Sequence, residues 1–238
     1  MSTRFPLSPF LNRRGISSLS VLLFISLIAV GCRSLPPNSL SSHNSSRWEK
    51  DIATYEANDR TNRPPDGSIV FVGSSSIRLW KTLALDFAPL PVVNRGFGGS
   101  QMADSVQFAD RIVLPYRPRQ VVIYAGTNDI NAGKDPELVF GDFVAFVRKI
   151  REQSPKAKIA FIACAPNPAR WKIVDKMQHL NSLVNDYCDR HGLDFIDIYP
   201  LMLGADGLPK PDIFVADRLH MNAKGYEIWT AAVRPYLR

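Results

Sequence analysis

The stretch SIVFVGSSS, residues 68–76, decides the fold class of this chain. Its run from Ile69 to Val72 is apolar throughout and rich in β-branched residues, as expected of a strand that is covered on both faces. Gly73 ends the run, and three serines follow it. A buried strand that ends in glycine and polar residues is typical of the parallel sheets of α/β proteins, so we predict such a sheet here.

Four further stretches have the same character. They are PVVNRG (91–96), QVVIYAG (120–126), KIAFIAC (158–164) and LDFIDI (193–198). Helical stretches separate them. Strands that alternate with helices predict a parallel five-stranded sheet with right-handed crossovers and helices on both faces, which is a three-layer α/β/α sandwich.

Local signals mark the ends of several helices. Asp135 and Pro136 supply an N-cap and a first-turn proline, and apolar residues at helical spacing follow them. Gly192 is predicted to end the helix before the fifth strand, and Asn222 to cap the last helix.

Polar or glycine-rich motifs follow four of the five strands. They are GSSSI (73–77), NRGFGGS (94–100), GTND (126–129) and, beyond a long loop, DRLH (217–220). Ligands of open parallel sheets bind outside the carboxyl ends of the strands, so the motifs predict a site at that edge. Each motif alone is more typical of a turn, a cap or a local hydrogen-bonded pair.

Together, and in this order, the four motifs resemble those of the SGNH subgroup of GDSL esterases and acylhydrolases. The resemblance covers about residues 65–236. It implies a flavodoxin-like three-layer fold with strand order 2-1-3-4-5. It also implies ester hydrolysis through serine and histidine, without a metal or another cofactor.

Matched position by position, the resemblance assigns Ser75 as the nucleophile and completes a catalytic triad with Asp217 and His220. It assigns an oxyanion hole to the backbone amide of Ser75, to Gly99 and to Asn128.

One position departs from the family pattern. Ser74 stands where the family has aspartate, and this leaves open how the loop that carries the nucleophile is braced. The run of three serines also makes Ser76 the chief rival to Ser75 as the nucleophile.

These residue types suit ester hydrolysis on chemical grounds as well. A serine hydroxyl needs a base within hydrogen-bond reach, and imidazole is the usual one near neutral pH. Asp217, three residues before His220, can select the imidazole tautomer and stabilise the imidazolium. Amide donors at Ser75, Gly99 and Asn128 would stabilise the oxyanion.

The loop APNPARW (165–171) follows the fourth strand and is predicted to border the same pocket. Arg170 is a candidate for binding an acidic group of the substrate. Trp171 is either a platform for a sugar or acyl group or a residue that packs on the core. The long segment 201–216 is predicted to deliver the DRLH motif to the site.

The other histidines and cysteines favour structural roles. His179 lies inside a helix, His191 lies at a helix end where a cation is favourable, and His43 lies in a polar linker. Cys164 ends an apolar run and Cys188 falls on an apolar helix face, which favours two buried free thiols over a disulfide. The sequence contains no CxxC motif, and no cluster of His and Cys has the spacing of metal ligands.

Residues 1–31 resemble an export signal. Arg13 and Arg14 precede an uncharged run, 16–30, which is too short to cross a hydrocarbon core of about 30 Å. The run ends in AVGC (29–32), which resembles a bacterial lipobox and predicts lipidation of Cys32. An uncleaved anchor helix and ordinary cleavage near Gly31 are the alternatives.

Residues 32–46 are rich in Ser, Pro and Asn and predict a flexible tether. The SGNH hydrolase domain is then expected to span 47–238. This organisation predicts a protein of the bacterial cell envelope that is held to the membrane by its N-terminal lipid and faces the periplasm or the exterior.

Composition excludes several classes of protein. The 238 residues suffice for one domain of ordinary size. A composition of 45% hydrophobic and 21% charged residues excludes a largely disordered chain and a polytopic membrane protein. The net charge of +7 includes three arginines of residues 1–31, which contain no acidic residue. No dense Lys/Arg stripe is present, so we predict no nucleic-acid partner. The oligomeric state is not predicted.

We therefore predict a serine esterase that acts on small acyl esters, chiefly O-acetyl esters, of carbohydrates or cell-envelope glycans. The alternatives are a lysophospholipase or thioesterase with a longer acyl channel, and a non-catalytic carbohydrate-binding relative. Nucleotide binding by the loop 96–100 is disfavoured because Gln101 stands where a third glycine belongs.

Overall fold

The computed structural model describes residues 35–238. Its five strands are β1 (Ile69–Gly73), β2 (Val92–Gly96), β3 (Gln120–Tyr124), β4 (Lys158–Ile162) and β5 (Asp194–Ile196). Its α-helices are α1 (Glu49–Thr61), α2 (Ser75–Arg78), α3 (Leu83–Asp86), α4 (Met102–Ile112), α5 (Thr127–Asn131), α6 (Pro136–Gln153), α7 (Val174–His191) and α8 (Ala223–Val233). Short 3₁₀ turns span Ser46–Trp48, Leu114–Tyr116, Pro168–Ile173, Pro200–Met202, Pro211–Ile213 and Arg234–Tyr236.

The strands form one parallel sheet in the order β2-β1-β3-β4-β5, which confirms the predicted topology. The first strand shows why the sheet is buried on both faces. Ile69 and Phe71 belong to one apolar cluster, whereas Val70 and Val72 belong to the other, and all four side chains are fully buried. The first cluster includes residues of α2, α3 and α8, and the second includes residues of α1, α4, α6 and α7. Helices therefore cover both faces.

The predicted helix ends lie where expected, although the side chain of Asp135 makes no capping hydrogen bond at the start of α6. The side chain of Asn222 accepts a hydrogen bond from the amide of Gly225 at the start of α8. Gly192 takes the left-handed conformation at the end of α7 (φ 63°), and Pro136 occupies the first turn of α6. Cys164 and Cys188 are buried free thiols, as predicted.

The segment 35–48, which we call the N-terminal arm, is where the structure corrects the predicted tether. Residues 35–46 are not a free linker, because the arm packs on α4 and α6. The amide and hydroxyl of Ser39 each donate to buried Asp142 at 2.7 Å. His43 lies 2.7 Å from Asp104, and the hydroxyl of Ser45 donates to the same carboxylate at 2.6 Å. The compact unit consequently begins at Leu35 rather than at Arg47.

The predicted export signal (1–31) and Cys32 lie outside the described residues. Within residues 35–238, no helix is both long enough and apolar enough to span a bilayer.

Candidate active site

The carboxyl ends of β2, β1 and β3, three neighbouring strands of the sheet, lie level with one another, and this places the motif loops side by side. Gly73, the last residue of β1, is in register with Gly96 of β2 and Tyr124 of β3. Gly73 has a φ of 130°, and a Cβ at this position would lie 2.0 Å from the carbonyl oxygen of Tyr124. Only glycine permits this turn, which leads directly into α2 with Ser75 as its first residue.

The backbone of Ser74 braces the nucleophile loop, and this answers the question raised by the missing aspartate. Its amide donates to the carbonyl of Tyr124 at 3.0 Å. Its own carbonyl accepts from the amides of Ile77 and Arg78, each at 3.1 Å. The side chain of Ser74 makes no capping hydrogen bond. Main-chain hydrogen bonds therefore hold the turn that the aspartate of the family pattern could otherwise brace.

Ser75, His220 and Asp217 form one chain of hydrogen bonds. Nε2 of His220 lies 2.8 Å from Oγ of Ser75, and Nδ1 lies 2.6 Å from Oδ2 of Asp217. An ionised carboxylate can only accept, so Nδ1 carries the proton and Nε2 of the neutral ring is free to accept from the serine hydroxyl. Among the described residues, the ring of His220 makes this contact with Ser75 and not with Ser76, which lines the small pocket beside Ser75.

The environment of Asp217 keeps its carboxylate ionised. Burial acts to raise the pKa of Asp217, but the amides of His220 and Leu219 and the ring of His220 donate to its oxygens. These hydrogen bonds stabilise the charged form and lower the pKa from an ordinary 3.8 to about 2.

The loop between β5 and α8 holds the imidazole in place. The amide of Val215 donates to the carbonyl of His220 at 2.9 Å, and Phe214 pairs with Met221 as an isolated antiparallel bridge. Arg218 closes the turn between them with a φ of 59°. The predicted delivery of the DRLH motif by the preceding long loop is therefore seen.

Ser75, Gly99 and Asn128, the residues of the predicted oxyanion hole, all line one cleft. Gly99 has a φ of 78°, a conformation that side chains rarely adopt. Within residues 35–238, no main-chain carbonyl accepts from the amide of Ser75 or of Gly99. One amide hydrogen of Asn128 is used in a bond from Nδ2 to the carbonyl of Ser100 at 2.8 Å, which orients the side chain and leaves the second hydrogen available.

A buried carboxylate ties two of these loops together. Asp129 is fully buried and accepts from the amide of Met102, the first residue of α4, at 3.0 and 3.2 Å. Burial raises the pKa of Asp129 to about 6, although Lys134 at 3.1 Å and the Met102 amide oppose the shift. Asp129 thereby couples the loop that carries Asn128 to the loop that carries Gly99.

The catalytic candidates open onto a cleft of about 420 Å³. Its lining residues are Trp48, Asp51, Ser75, Arg78, Gly98, Gly99, Asn128, Arg170, Leu219 and His220. Arg170 is thus at the site as predicted, and the amide of Ala169 holds its loop to the carbonyl of Arg218 at 3.2 Å. Trp171 is half-buried and does not line the cleft, so the platform interpretation of this residue is not supported.

Three side chains that line the cleft lie outside the predicted motifs, those of Trp48, Asp51 and Arg78, and Arg47 lies next to Trp48. Trp48 and Arg47 belong to the N-terminal arm: Arg47 donates from Nη2 to the carbonyl of Gly99 at 2.9 Å, and its guanidinium stacks 4.2 Å over the ring of Trp48. Asp51 follows on α1. Arg78 was accessible to sequence reasoning, because it lies one helical turn after Ser75 on the same face of α2.

The remaining histidines lie away from the cleft. His179 contacts Glu137 at 2.8 Å on the surface, and His191 stacks on Tyr187 in the last turn of α7. His43 is bound to Asp104 in the arm. In the part of the chain that the structure describes, no group of three or more His, Cys, Asp or Glu side chains is arranged to hold a metal ion.

Comparison with known proteins agrees with the fold and the motifs. The chain matches the model of the GDSL-like Lipase/Acylhydrolase family over residues 67–228. The alpha2 subunit of platelet-activating factor acetylhydrolase IB from Gallus gallus is 29% identical over 193 residues, which cover 76% of this chain and 79% of that protein.

Two solved structures share the architecture. A GDSL-like lipase from Bacteroides thetaiotaomicron has a TM-score of 0.67 and 22% identity, with 81% of this chain and 96% of that chain covered. An acetylxylan esterase from Geobacillus stearothermophilus has a TM-score of 0.59 and 16% identity, with 71% and 94% covered. The family match spans most of the chain, and the protein therefore belongs to the GDSL-like lipase/acylhydrolase family and is an ester hydrolase.

Proposed function

We propose that the protein is a metal-independent serine esterase that removes small acyl groups, chiefly acetyl, from hydroxyl groups of carbohydrates or cell-envelope glycans. The observation that carries the proposal is the continuous chain from Asp217 through His220 to Ser75, with the donors of Gly99 and Asn128 beside it.

The first half of the reaction transfers the acyl group to the enzyme. Oγ of Ser75 attacks the ester carbonyl carbon while Nε2 of His220 takes the hydroxyl proton, and Asp217 stabilises the imidazolium. The carbonyl oxygen becomes an oxyanion that the amides of Ser75, Gly99 and Asn128 stabilise. Collapse of this intermediate breaks the ester bond, and His220 gives its proton to the departing alcohol.

The second half releases the acid. Water attacks the acyl-serine, His220 accepts a proton from the water, and the oxyanion forms again in the same hole. When the intermediate collapses, the proton returns to Oγ of Ser75 and the carboxylic acid leaves. Each step uses the same base, and the enzyme ends in its starting state.

A small pocket beside the nucleophile supports the preference for acetyl. Its volume is about 20 Å³, and Tyr124, Met202, Phe214 and Trp229 are among its lining residues. A space of this size takes about one water-sized group, which suits a methyl and not a long acyl chain. Two similar proteins, an acetylhydrolase subunit and an acetylxylan esterase, are named for the removal of acetyl groups, which agrees with this preference.

The cleft outside the pocket supports a polar acceptor. Its rim combines the aromatic ring of Trp48 with the charged side chains of Asp51, Arg78 and Arg170. Aromatic surface next to polar groups suits a sugar ring better than a hydrocarbon chain. The envelope location and lipidation at Cys32 remain part of the proposal, and the mass of the membrane-extracted protein tests them.

Turnover of 4-nitrophenyl acetate by the purified full-length protein tests the proposed chemistry. Replacement Ser75→Ala removes the nucleophile, so we expect kcat to fall by about 10³-fold or more. The matched control is Ser76→Ala, the rival serine, which should retain most of the activity. Full activity in a folded Ser75→Ala variant would refute the assignment.

Acyl-chain length separates the proposal from its alternatives. Acetyl esters should be cleaved with a higher kcat/KM than decanoyl esters of the same alcohol. A clear preference for decanoyl would favour a lysophospholipase or thioesterase. Failure of a serine-directed phosphonate to label Ser75, together with no turnover of any ester, would favour a non-catalytic relative.

A further inference from the structure

Arg170 lies in the cleft with its charge unmatched. Its side chain is half-buried and borders both the cleft and the small pocket beside Ser75. Within residues 35–238, its guanidinium makes no hydrogen bond or ion pair to another side chain or to a carbonyl. Other well-covered arginines of this chain are paired: Arg95 contacts Asp59 at 2.6 Å, and Arg111 contacts Glu56 at 2.7 Å.

Arg78 presents a second guanidinium to the same cleft. Arg78 is exposed, and its guanidinium lies against the loop between β2 and α4, where a Cβ at Gly98 would lie 2.9 Å from both Nε and Nη2 of Arg78. Among the described residues, this guanidinium also has no carboxylate partner. Asp51 is the single acidic side chain that lines the cleft, and it is exposed at the rim.

We propose that the alcohol portion of the substrate carries an anionic group, a carboxylate or a phosphate, which binds between Arg170 and Arg78 while its acyl group faces Ser75. This inference rests on the proposed esterase function and specifies its substrate class. It adds a recognition site on the alcohol side of the scissile bond.

The physical reason is the cost of covering a charge without a partner. The planar guanidinium offers paired donors whose spacing fits the two oxygens of a carboxylate or phosphate. Burial lowers the pKa of Arg170, which reflects the loss of water around its charge. An anion from the substrate supplies the missing acceptor, whereas a neutral sugar hydroxyl offsets this loss less well.

Matched ester pairs test the inference on the full-length protein. The first pair is O-acetylated methyl glucuronide and O-acetylated methyl glucoside, which differ at one carboxylate. The second pair is acetylglycerol phosphate and acetylglycerol, which differ at one phosphate. We expect kcat/KM to be about tenfold or more higher for the charged member of at least one pair. The pair with the larger ratio identifies the source of the anion.

Variants locate the origin of the preference. Arg170→Gln and Arg78→Gln should each reduce the ratio of charged to neutral kcat/KM, mainly through KM of the charged ester. Added salt should reduce the ratio in the wild type as well. The control is Arg148→Gln, an exposed arginine of α6 outside the cleft, which should leave the ratio and the absolute rates unchanged.

A ratio near one in both pairs would overturn the inference, and so would a preference that survives both cleft substitutions. Cleavage of 4-nitrophenyl acetate in the same preparations shows that esterase chemistry is intact, so its loss would count against the proposed function instead. In that event, binding of methyl glucuronide and of glycerol phosphate, measured by calorimetry on Ser75→Ala, decides the inference. Binding of either anion in preference to its neutral counterpart supports it, and equal or no binding refutes it.

Discussion

At the scale of single residues, the function of this site depends on which atom of His220 carries the proton. The carboxylate of Asp217 lies 2.6 Å from Nδ1 and fixes the tautomer in which Nε2 accepts from Ser75. In Asp217→Asn, the amide can donate to Nδ1 and favour the wrong tautomer. We expect kcat for 4-nitrophenyl acetate to fall by about 10³- to 10⁴-fold, as loss of this orientation does in other triads.

The matched control for this variant is Asp212→Asn. Asp212 is an exposed aspartate of the same loop, and it contacts Lys224 at 3.1 Å. Because it does not touch His220, its replacement should leave kcat within about twofold. Equal losses in the two variants would mean that Asp217 acts through the loop and not through the imidazole.

The same carboxylate makes a pH-dependent contribution to stability. Its pKa is about 2 in the folded chain and 3.8 without these contacts. A lowered pKa means that the contribution is fully present above the unfolded value and is lost as the pH falls through the folded value. The difference in free energy of unfolding between the wild type and Asp217→Asn, measured in urea, should become smaller as the pH falls from about 5 toward 3. A difference that grows on acidification would contradict this.

Asn128 contributes a donor that the transition state needs more than the substrate does. Asn128→Ala removes the amide that Ser100 orients, so we expect kcat to fall by about 10²- to 10³-fold with little change in KM. Asn131→Ala, at the exposed end of the same short helix, is the control and should retain activity. A change confined to KM would show that Asn128 binds the substrate and does not stabilise the oxyanion.

The position of three motifs at the carboxyl edge of the sheet could be predicted because each directly follows an apolar strand run, whereas the roles of their residues and of the DRLH motif came from the family resemblance. Arg170 and Trp171 show where such reasoning ends. They are neighbours in a Pro-rich loop, and only Arg170 lines the cleft. Arg170 breaks the helical geometry of its 3₁₀ segment (φ −121°, ψ 21°), and no sequence signal specifies which of two adjacent side chains such a kink directs inward.

At the scale of secondary-structure elements, the second half of the N-terminal arm is held by one buried carboxylate. Asp104 of α4 accepts from His43, Ser45 and the indole of Trp48 at 2.6 to 3.0 Å, and also from the amide of Gln101 at 2.8 Å. The arm thereby places Trp48 and Arg47 against the Gly99 turn. Its polar composition predicted a tether. The prediction was wrong because the side chains that bind the arm lie about 60 to 100 residues away along the chain.

Replacement Asp104→Ala should separate the arm from α4. Four donors would lose their acceptor in a site where Asp104 is 1% exposed, so we expect a loss of about 3 to 5 kcal/mol in the free energy of unfolding. Urea denaturation followed by tryptophan fluorescence measures it.

The control for Asp104→Ala is Asp110→Ala on the same helix. Asp110 pairs with Lys149, and its side chain is 50% exposed, so a change below about 1 kcal/mol is expected. If Asp104→Ala were no more destabilising than this control, the arm would contribute nothing to stability.

At the scale of the whole molecule, the arm determines where the folded unit begins. Ser39 and Asp142 anchor its first half to α6, and Asp104 anchors its second half to α4. A chain that starts at Leu35 keeps these contacts, whereas one that starts at Arg47 loses them and leaves two buried carboxylates short of donors. We expect the shorter chain to be about 3 kcal/mol less stable, which lowers Tm by about 6 to 12 °C for a domain of this size.

The shorter chain should also lose esterase activity below its Tm. Arg47 and Trp48 would remain in the sequence, but without the arm the hydrogen bond from Arg47 to the carbonyl of Gly99 is held less firmly, and the Gly99 amide is part of the proposed oxyanion hole. Calorimetry and kcat for 4-nitrophenyl acetate, measured on the two chains side by side, separate stability from activity. Equal Tm values would show that residues 35–46 act as the tether their composition suggests. A lower Tm with unchanged kcat would show that the arm stabilises the fold without positioning the Gly99 turn.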